Sequence, residues 1–326
     1  MLSSGGARAV IVACGEALVD FTAERTERGP RYVPHVGGAS LNVAVALARL
    51  GVAAAFLGGL SRDAFGQFLR AQLLHSGVDP RYISDRAEPT ALAFVQQEGG
   101  REPEFSFYGH GTAERALRPQ DLPPAFPSEV EALHFAGYSL LVEPVGATLE
   151  ALGRREQGRR LILLDPNVRP ALTPGLDAGR ARLETWLRRA DVVKASRPDL
   201  GVLYPGVPAG EVARSWLARP DAPGPVLVVV TLASDGAVAF STAGEVRVPS
   251  VPVPVIDTVG AGDAFSAGLL EWLYRARHLT RDAVARLGSS EIAAALARAA
   301  SVAGLTCTRA GADPPYLADL ERTLPG

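Results

Sequence analysis

The sequence DTVGAGD at residues 257–263 stands directly before an apolar stretch with helical spacing, Ala264–Arg277. Small residues allow backbone N–H groups to converge on one point, and the N-terminus of a helix adds partial positive charge there. We therefore predict an anion-binding turn that suits a phosphoryl group. Asp263 falls in the first helical turn, where its carboxylate can accept a proton from an attacking hydroxyl. The alternative interpretation is an ordinary glycine-rich turn with an aspartate at its helix start.

Two other phosphate-binding motifs are excluded at this turn. A Walker A loop would continue with Gly-Lys-Ser or Gly-Lys-Thr, and neither follows here. A dinucleotide-binding fingerprint would need a third glycine at the position of Phe265. The turn therefore predicts a phosphate site of another class.

Working outward from the turn, short apolar segments alternate with segments of helical periodicity. The predicted strands are Val10–Ala13, Ala53–Leu57, Leu133–Ala136, Leu161–Leu164, Val192–Lys194 and Val226–Thr231. The predicted helices are Ser40–Leu50, Phe65–His75, Ala147–Glu156, Arg180–Arg189, Ala264–Arg277 and Ser290–Leu305. This alternation predicts an α/β fold with three layers, α/β/α, and a mostly parallel central sheet. Ligands of such sheets bind at the carboxyl ends of the strands.

Two stretches interrupt this alternation. Residues 21–37 and 89–112 carry strand-like residues with glycines and charged residues between them. The second stretch has the pattern of a β-hairpin, with its turn predicted at Glu98–Glu102. We interpret both stretches as a small β-sheet lid over the main sheet of a single domain that spans residues 1–326.

Composition and charge narrow the classes of partner. Apolar residues make up 47% of the 326 residues, which is enough for a sizeable core, and the formal net charge is −2. Because the sequence has no basic cluster, we expect neither a nucleic-acid nor a membrane partner. The two cysteines, Cys14 and Cys307, form no metal-binding pattern and favour a reducing, cytoplasmic location.

The turn at residues 257–263 resembles the C-terminal signature of the ribokinase-like sugar kinases, the PfkB family. GGASLNVA at residues 37–44 is similar to the N-terminal signature of the same family. Further matches follow in family order: GEALVD at 15–20, DAFG at 63–66, DPNVR at 165–169, KAS at 194–196, VTL at 230–232 and TRAGA at 308–312. The resemblance covers nearly the whole chain, and within the family it is strongest to bacterial fructokinases.

The resemblance implies a role for each matching residue. Gly260, Ala261 and Gly262 would supply the amides of an anion hole, and Asp263 would be the catalytic base. The sugar-binding residues would be Asp20, Gly38, Asn42, Tyr108 and Arg169. The nucleotide-binding residues would be Lys194, Ser196, Thr231, Ala233, Gly236 and Ala300. Asp199 would position magnesium-bound water, and Asp257 and Val259 would lie at a site for a monovalent cation.

Four positions depart from the family pattern. Asp199 stands where glutamate is usual, Ala233 where glycine is usual, and Ala300 where asparagine is frequent. These three bear on nucleotide binding. Gly109 stands where fructokinases and ketodeoxygluconate kinases often carry arginine, which in the relatives that accept sugar acids suits the carboxylate. Because arginine pairs well with a carboxylate, its absence favours a neutral sugar.

The resemblance implies a kinase that uses ATP and Mg²⁺, with K⁺ as a further cation, to phosphorylate a hydroxymethyl group of a small sugar. Fructose, giving fructose 6-phosphate, is the first choice of substrate. Ribose, aminoimidazole riboside and 2-keto-3-deoxygluconate are the alternatives. An alternative of another class is a sugar-sensing protein derived from a kinase that binds without turnover. We also expect a homodimer that forms through the lid.

Overall fold

The computed structural model describes residues 8–96, 104–170, 172, 175–218 and 223–323. Its strands are β1 Val10–Cys14, β2 Leu18–Thr26, β3 Gly29–Gly37, β4 Ala53–Ser61, β5 Asp79–Arg86, β6 Leu92–Gln96, β7 Glu104–Tyr108, β8 Val130–Ala136, β9 Leu161–Asp165, β10 Val192–Ser196, β11 Leu227–Thr231, β12 Ala237–Ser241 and β13 Gly244–Val248. Its helices are α1 Ala39–Arg49, α2 Ala64–His75, α3 Val145–Glu156, α4 Leu176–Leu187, α5 Arg197–Leu203, α6 Ala209–Leu217, α7 Ala261–Arg275, α8 Arg281–Ala285, α9 Ser289–Cys307 and α10 Leu317–Thr323. Among the described residues, no helix is both long and apolar enough to cross a membrane.

The main sheet has nine strands in the order β13-β12-β11-β10-β9-β8-β1-β4-β5. All neighbours from β11 to β5 are parallel, and β12 and β13 are added antiparallel at one edge. Alternate residues of each buried strand enter separate cores on the two faces, as Leu163 and Leu164 of β9 do. The α/β fold with a mostly parallel sheet and helices on both faces is therefore confirmed.

A second sheet contains β3, β2, β6 and β7 in that order. Its strands fall in the two stretches that were predicted to leave the main sheet, although β2 begins earlier, at Leu18. The predicted hairpin turn at Glu98–Glu102 lies outside the described residues. One face of this sheet is aromatic, with the rings of Phe21 and Phe94 stacked at a centroid distance of 4.8 Å. The other face carries Asp20 and Phe107.

The helices α1 and α7 each begin directly after a glycine with positive φ, at the carboxyl edge of the main sheet. Gly38, with φ +99°, precedes α1, and Gly260, with φ +75°, precedes α7. The two helices pack against each other. Their first turns therefore bring the two family signatures, about 220 residues apart in sequence, to one place.

The turn between β11 and β12 is held in a conformation that favours glycine. The amide of Leu232 donates to the carbonyl of Gly236 at 2.8 Å, and Gly236 has φ +87°. A Cβ at Gly236 would overlap the carbonyl oxygen of Val248. Ala233 has φ +54°, so it is a non-glycine residue in the left-handed region. The turn therefore explains why glycine is usual at position 233 and shows that alanine is accommodated there with strain.

We predict that Gly236→Ala destabilises the protein more than Gly244→Ala. Both glycines have positive φ, at +87° and +102°, which costs an L-residue about 1–2 kcal/mol. Only Gly236 also lacks space for a methyl group, which adds at least about 1 kcal/mol, whereas nothing lies within 4 Å of a Cβ at Gly244. Melting temperatures of the two variants provide the test, and equal values would contradict the steric part of this account.

Candidate active site

The Asp263 carboxyl group is held by two asparagines at the first turn of α7. Asn42 of α1 donates from Nδ2 to Oδ2 of Asp263 at 2.8 Å. Asn167, just beyond β9, donates from Nδ2 to Oδ1 at 3.2 Å. Asp263 is only 7% exposed, so both oxygens have a fixed direction. A carboxylate oriented in this way at the start of a helix fits the role of a general base.

The surroundings of Asp263 weaken its acidity. Burial raises the pKa of the carboxyl to about 6, and the nearby charge of Asp165 acts in the same direction. The hydrogen bond from Asn42 and the charges of Lys194 and Arg169 lower that pKa. The group is therefore mostly ionised at neutral pH, and it is a stronger proton acceptor than an exposed aspartate.

The glycine-rich turn before α7 leaves space for an anion. Gly260 must be small because a Cβ there would lie 2.6 Å from Cβ of Ala312. The amide of Ala261 donates to the carbonyl of Thr258 at 3.2 Å, so the turn itself uses that predicted anion-hole donor. The next amides, of Gly262 and Asp263, belong to the first helical turn, where N–H groups have no partner within the helix. These amides are available to a phosphoryl group.

Lys194 lies beneath this turn and not at an exposed strand end. Its side chain is 2–3% exposed, and Nζ donates to Oδ2 of Asp165 at 2.8 Å. A Cβ on Gly262 would be 3.0 Å from Nζ. Burial acts to lower the pKa of the ammonium, but the Asp165 carboxylate raises it above its usual value. Lys194 therefore remains positively charged beside the anion-binding turn.

Asp20 and Arg169 face the same site. Burial raises the pKa of Asp20 to about 6, while the charge of Arg169 lowers it and that of Asp263 raises it. Arg169 also lowers the pKa of Asp263, so its guanidinium acts on both carboxyl groups. Gly38 starts α1 next to them, where a Cβ would approach the carbonyl oxygen of Glu16 to 2.7 Å. The structure thus brings Asp20, Gly38, Asn42, Arg169 and Asp263 together.

The comparison with protein families agrees with this geometry. The model described as "pfkB family carbohydrate kinase" matches residues 8–319. The chain belongs to this family. A fructokinase of Rhizobium leguminosarum bv. trifolii is 39% identical to this kinase over 279 residues, which covers 85% of this chain and 84% of the relative.

Two solved structures resemble the kinase over almost its whole length. Fructokinase from Xylella fastidiosa with bound ATP has a TM-score of 0.87 at 31% identity, covering 96% of this chain and 98% of the other. Aminoimidazole riboside kinase from Salmonella enterica, complexed with aminoimidazole riboside and an ATP analogue, has a TM-score of 0.81 at 28% identity, covering 96% and 99%. The ribokinase-like architecture is therefore shared with kinases that act on different sugars.

Tyr108 is the last residue of β7 in the small sheet. Phe107 of β7 lies opposite Ala93 of β6, which lies beside Asp20 of β2. Side chains alternate along a strand, so Tyr108 is on the opposite face of the small sheet from Asp20. Its ring contacts Phe94 at a centroid distance of 5.6 Å and is 63% exposed. Phe107 therefore takes the face of Asp20, and the role of Tyr108 in sugar binding stays a prediction.

The residues predicted for the nucleotide follow strand ends or line a helix. Ser196 and Thr231 pair across β10 and β11, at the carboxyl edge of the sheet. Ala233 and Gly236 form the turn after β11. Ala300 is buried on α9, which packs against α7. The first four lie on the same edge as Asp263.

The Asp199 carboxylate accepts hydrogen bonds from backbone and hydroxyl donors. Its Oδ1 accepts from the amide of Val168 at 3.0 Å, and its Oδ2 accepts from Oγ of Ser196 at 2.6 Å. Burial and the charge of Asp165 raise its pKa. Since each carboxylate oxygen has two acceptor positions, Asp199 can still receive a hydrogen bond from a metal-bound water.

Asp257 fastens two loops. Its carboxylate accepts from the amide of Val259 at 3.0 Å and from the amide of Gly311 at 2.8 Å. It therefore ties the anion-binding turn to the segment that follows α9. Within the described part of the chain, no group of three or more His, Cys, Asp or Glu residues is arranged to hold a metal ion.

Three residues of the site were not among those predicted from the sequence. Asp165 pairs with Lys194, Asn167 binds Asp263, and Glu16 is buried with its carboxyl group accepting from Oγ of Ser139 at 2.5 Å. Burial raises the pKa of Glu16 to about 7. The signal was present in DPN at residues 165–167, a polar group directly after a fully apolar strand.

We predict that kcat/KM of the wild-type kinase falls tenfold per pH unit below about pH 6, because Asp263 must be ionised to accept a proton and its pKa is about 6.

Asp263→Asn keeps the shape of the side chain but removes the base. It should lower kcat by about 10²–10⁴-fold while leaving the Kd of ATP nearly unchanged. Retention of more than about a tenth of kcat by the variant would remove Asp263 from the role of base.

Proposed function

We propose that this carbohydrate kinase transfers the γ-phosphoryl group of ATP to a hydroxymethyl group of fructose, giving fructose 6-phosphate. The observation that carries the proposal is the buried Asp263 carboxylate, which is oriented by Asn42 and Asn167 at a helix N-terminus and faces Asp20 and Arg169. Similarity to fructokinases supports the choice of sugar.

Each residue of the site has a separate role in phosphoryl transfer. Asp20 and Asn42 accept and donate hydrogen bonds to sugar hydroxyls, which places one hydroxyl beside Asp263. Asp263 takes the proton of that hydroxyl as its oxygen attacks the γ-phosphorus. The amides of Gly262 and Asp263 and the charge of Lys194 stabilise the negative charge on the transferring group. Arg169, which is exposed at the mouth of the site, is placed to neutralise a phosphate or orient the sugar.

The two cations enter the proposal through residues that fit them. Asp199 has acceptor capacity left for a water of Mg²⁺, which when bound neutralises charge on the phosphates of ATP. Asp257 and the carbonyl group of Val259 border the anion-binding turn. They would supply oxygen atoms of the kind that coordinates K⁺. In this role Asp257 would couple cation binding to the shape of the turn, because it already binds the amides of Val259 and Gly311.

The small sheet is proposed to act as a lid over the sugar. Its β2 strand carries Asp20 into the site, and Phe107 lies on the same face. Closure of this face over a bound sugar would exclude water, which otherwise competes as the phosphoryl acceptor. The lid belongs to the same proposed domain as the main sheet.

A neutral sugar suits the site better than a sugar acid, for a reason other than the absence of an arginine at position 109. An arginine does approach Gly109: the guanidinium of Arg115 lies 3.5 Å from where a Cβ at Gly109 would be. Its Nε, however, is 3.8 Å from the buried Glu114, and the guanidinium lies over the ring of Tyr138. A substrate carboxylate brought to Arg115 would also meet the charge of Glu114. A neutral polyol avoids that repulsion.

The alternative of a non-catalytic sugar sensor is disfavoured by the complete catalytic turn. Loss of Asp263 or of a glycine in the turn would be typical of such a protein, and both features are present. Release of ADP on addition of sugar distinguishes the two functions.

We predict that fructose has the highest kcat/KM in a coupled ADP-release assay against ribose, aminoimidazole riboside and 2-keto-3-deoxygluconate at equal concentrations. The kcat/KM of the keto-acid should be about 10- to 100-fold lower, which corresponds to the free energy of one charge-assisted contact. Asp263→Asn, assayed in parallel, reports contaminating kinases. If the keto-acid is best, the argument from Glu114 is wrong, and if no sugar releases ADP, the kinase function itself is wrong.

We also propose that two copies of the kinase associate through the aromatic face of the lid. Tyr108 and Tyr32 lie edge-on to the ring of Phe94 and are 63% and 39% exposed. This face points away from Asp20 and can be covered without closing the site. Exposed aromatic side chains of this kind are typical of protein interfaces.

We predict that light scattering at micromolar concentration gives twice the 34.2 kDa chain mass, and that Tyr108→Ser shifts the mass toward one chain. Val207→Ser is the matched control, because Val207 is an exposed apolar residue between α5 and α6 and outside the lid. A wild-type mass of one chain would reject the dimer.

A further inference from the structure

Asp165 connects three elements of the catalytic edge. It ends β9 with no exposed surface and accepts from Nζ of Lys194 on β10 at 2.8 Å. Oγ of Ser266, on α7, donates to the same carboxylate at 3.4 Å. The other carboxylate oxygen accepts from the amide of Asn167 at 3.2 Å, and Asn167 in turn binds Asp263. One buried carboxylate thus holds the ammonium, the catalytic helix and the loop that orients the base.

An ion pair buried this deeply is not explained by stability alone. Removing two charges from water costs several kcal/mol per ion, and apolar residues of similar volume often stabilise a fold equally well. The position of this pair is informative, because the Lys194 ammonium lies directly under Gly262. A positive charge there faces any phosphoryl group bound at the amides of Gly262 and Asp263.

We propose that Asp165 is a positioning residue for phosphoryl transfer, which holds the Lys194 ammonium beneath Gly262 so that its charge faces both the transferring group and the Asp263 carboxylate. This role rests on the proposed kinase function. Lys194 is then the residue whose charge acts on the phosphoryl group, and Asp165 acts through it. The pair keeps the charge under the turn fixed before substrate arrives, so little reorganisation is needed during transfer.

The effects of Asp165 and Lys194 on the pKa of Asp263 distinguish the roles of these two residues. Charged groups face Asp263 or act on it from each element packed against it: Glu16 after β1, Asp20 on β2, Asp165 on β9, Arg169 in the following loop and Lys194 on β10. Asn42 and Asn167 are neutral partners. Among these groups, the charge of Asp165 raises the pKa of Asp263, and the charge of Lys194 lowers it. Neutralising the two partners therefore has opposite effects.

The test is the pH dependence of kcat/KM for Asp165→Asn and Lys194→Met. Loss of the negative charge stabilises ionised Asp263, so Asp165→Asn should move the acid limb to lower pH. Lys194→Met should move it to higher pH, and the double variant should fall between the two. Each shift should be at least about half a pH unit. Lys194→Met should also lower kcat by about 10²-fold, the typical loss of one group that stabilises transition-state charge.

Asp191→Asn is the matched control. Asp191 is also a buried aspartate paired with a cation, Arg281 at 3.0 Å, but it precedes β10 at the opposite end of the sheet. Its removal should lower stability and leave the acid limb at the wild-type pH. Lys194→Arg, which retains the charge, should keep the limb close to wild type.

Several outcomes would overturn the proposal. Acid limbs at the wild-type pH for both variants, or shifts in the same direction, would make the pair purely structural. If Asp165→Asn does not fold, as judged by circular dichroism, an unshifted limb in Lys194→Met alone rejects the proposal. Titration of Asp263 by ¹³C NMR of labelled aspartate, assigned with Asp263→Asn, reads the same shifts without substrate. A failed substrate choice is therefore distinguishable from a failed role for the pair.

Discussion

The structure of the catalytic edge depends on one constraint, which is to bury the carboxylate of Asp263 without losing its charge. Asn42 and Asn167 supply its hydrogen bonds, and they come from α1 and from the loop after β9. Burial favours the protonated form and raises the pKa of Asp263 to about 6, while the hydrogen bond from Asn42 and the charges of Lys194 and Arg169 act in the opposite direction. The starts of α1 and α7 must therefore meet, and each start follows a glycine with positive φ, Gly38 or Gly260.

A second consequence concerns the excess of acidic groups at this edge. Glu16, Asp20, Asp165 and Asp263 all lie close to the site, and burial pushes the pKa values of Glu16, Asp20 and Asp263 up to about 6 or 7. Lys194 and Arg169 are the cations that act on Asp263, one buried and one exposed. The buried cation is held by Asp165, and the exposed one acts on both Asp20 and Asp263, so the site combines a preorganised buried charge with one at its surface.

The sequence predicted the parts that depend on local pattern. Six of the central strands and both helices of the signatures were found because apolar runs and helical periodicity carry that information. The edge strands β5 and β13 and the adjoining β12 were missed, since short, partly polar segments such as GEVRV resemble loops. The position of Tyr108 on the face opposite Asp20 could not be predicted from the sequence, because a shift of one residue reverses the direction of every side chain in a strand. The approach of Arg115 to Gly109 depends on how a loop packs and has no signature in the chain.

The central claim is that Asp263 accepts the proton of the sugar hydroxyl at the anion-binding turn. The most direct measurement is a crystal structure of the kinase with fructose and a non-hydrolysable ATP analogue. The account predicts the hydroxymethyl oxygen within about 2.6–3.2 Å of an Asp263 carboxylate oxygen, with the γ-phosphate at the amides of Gly262 and Asp263. A hydroxymethyl group directed away from Asp263, with a different side chain as its hydrogen-bond acceptor, would contradict the account.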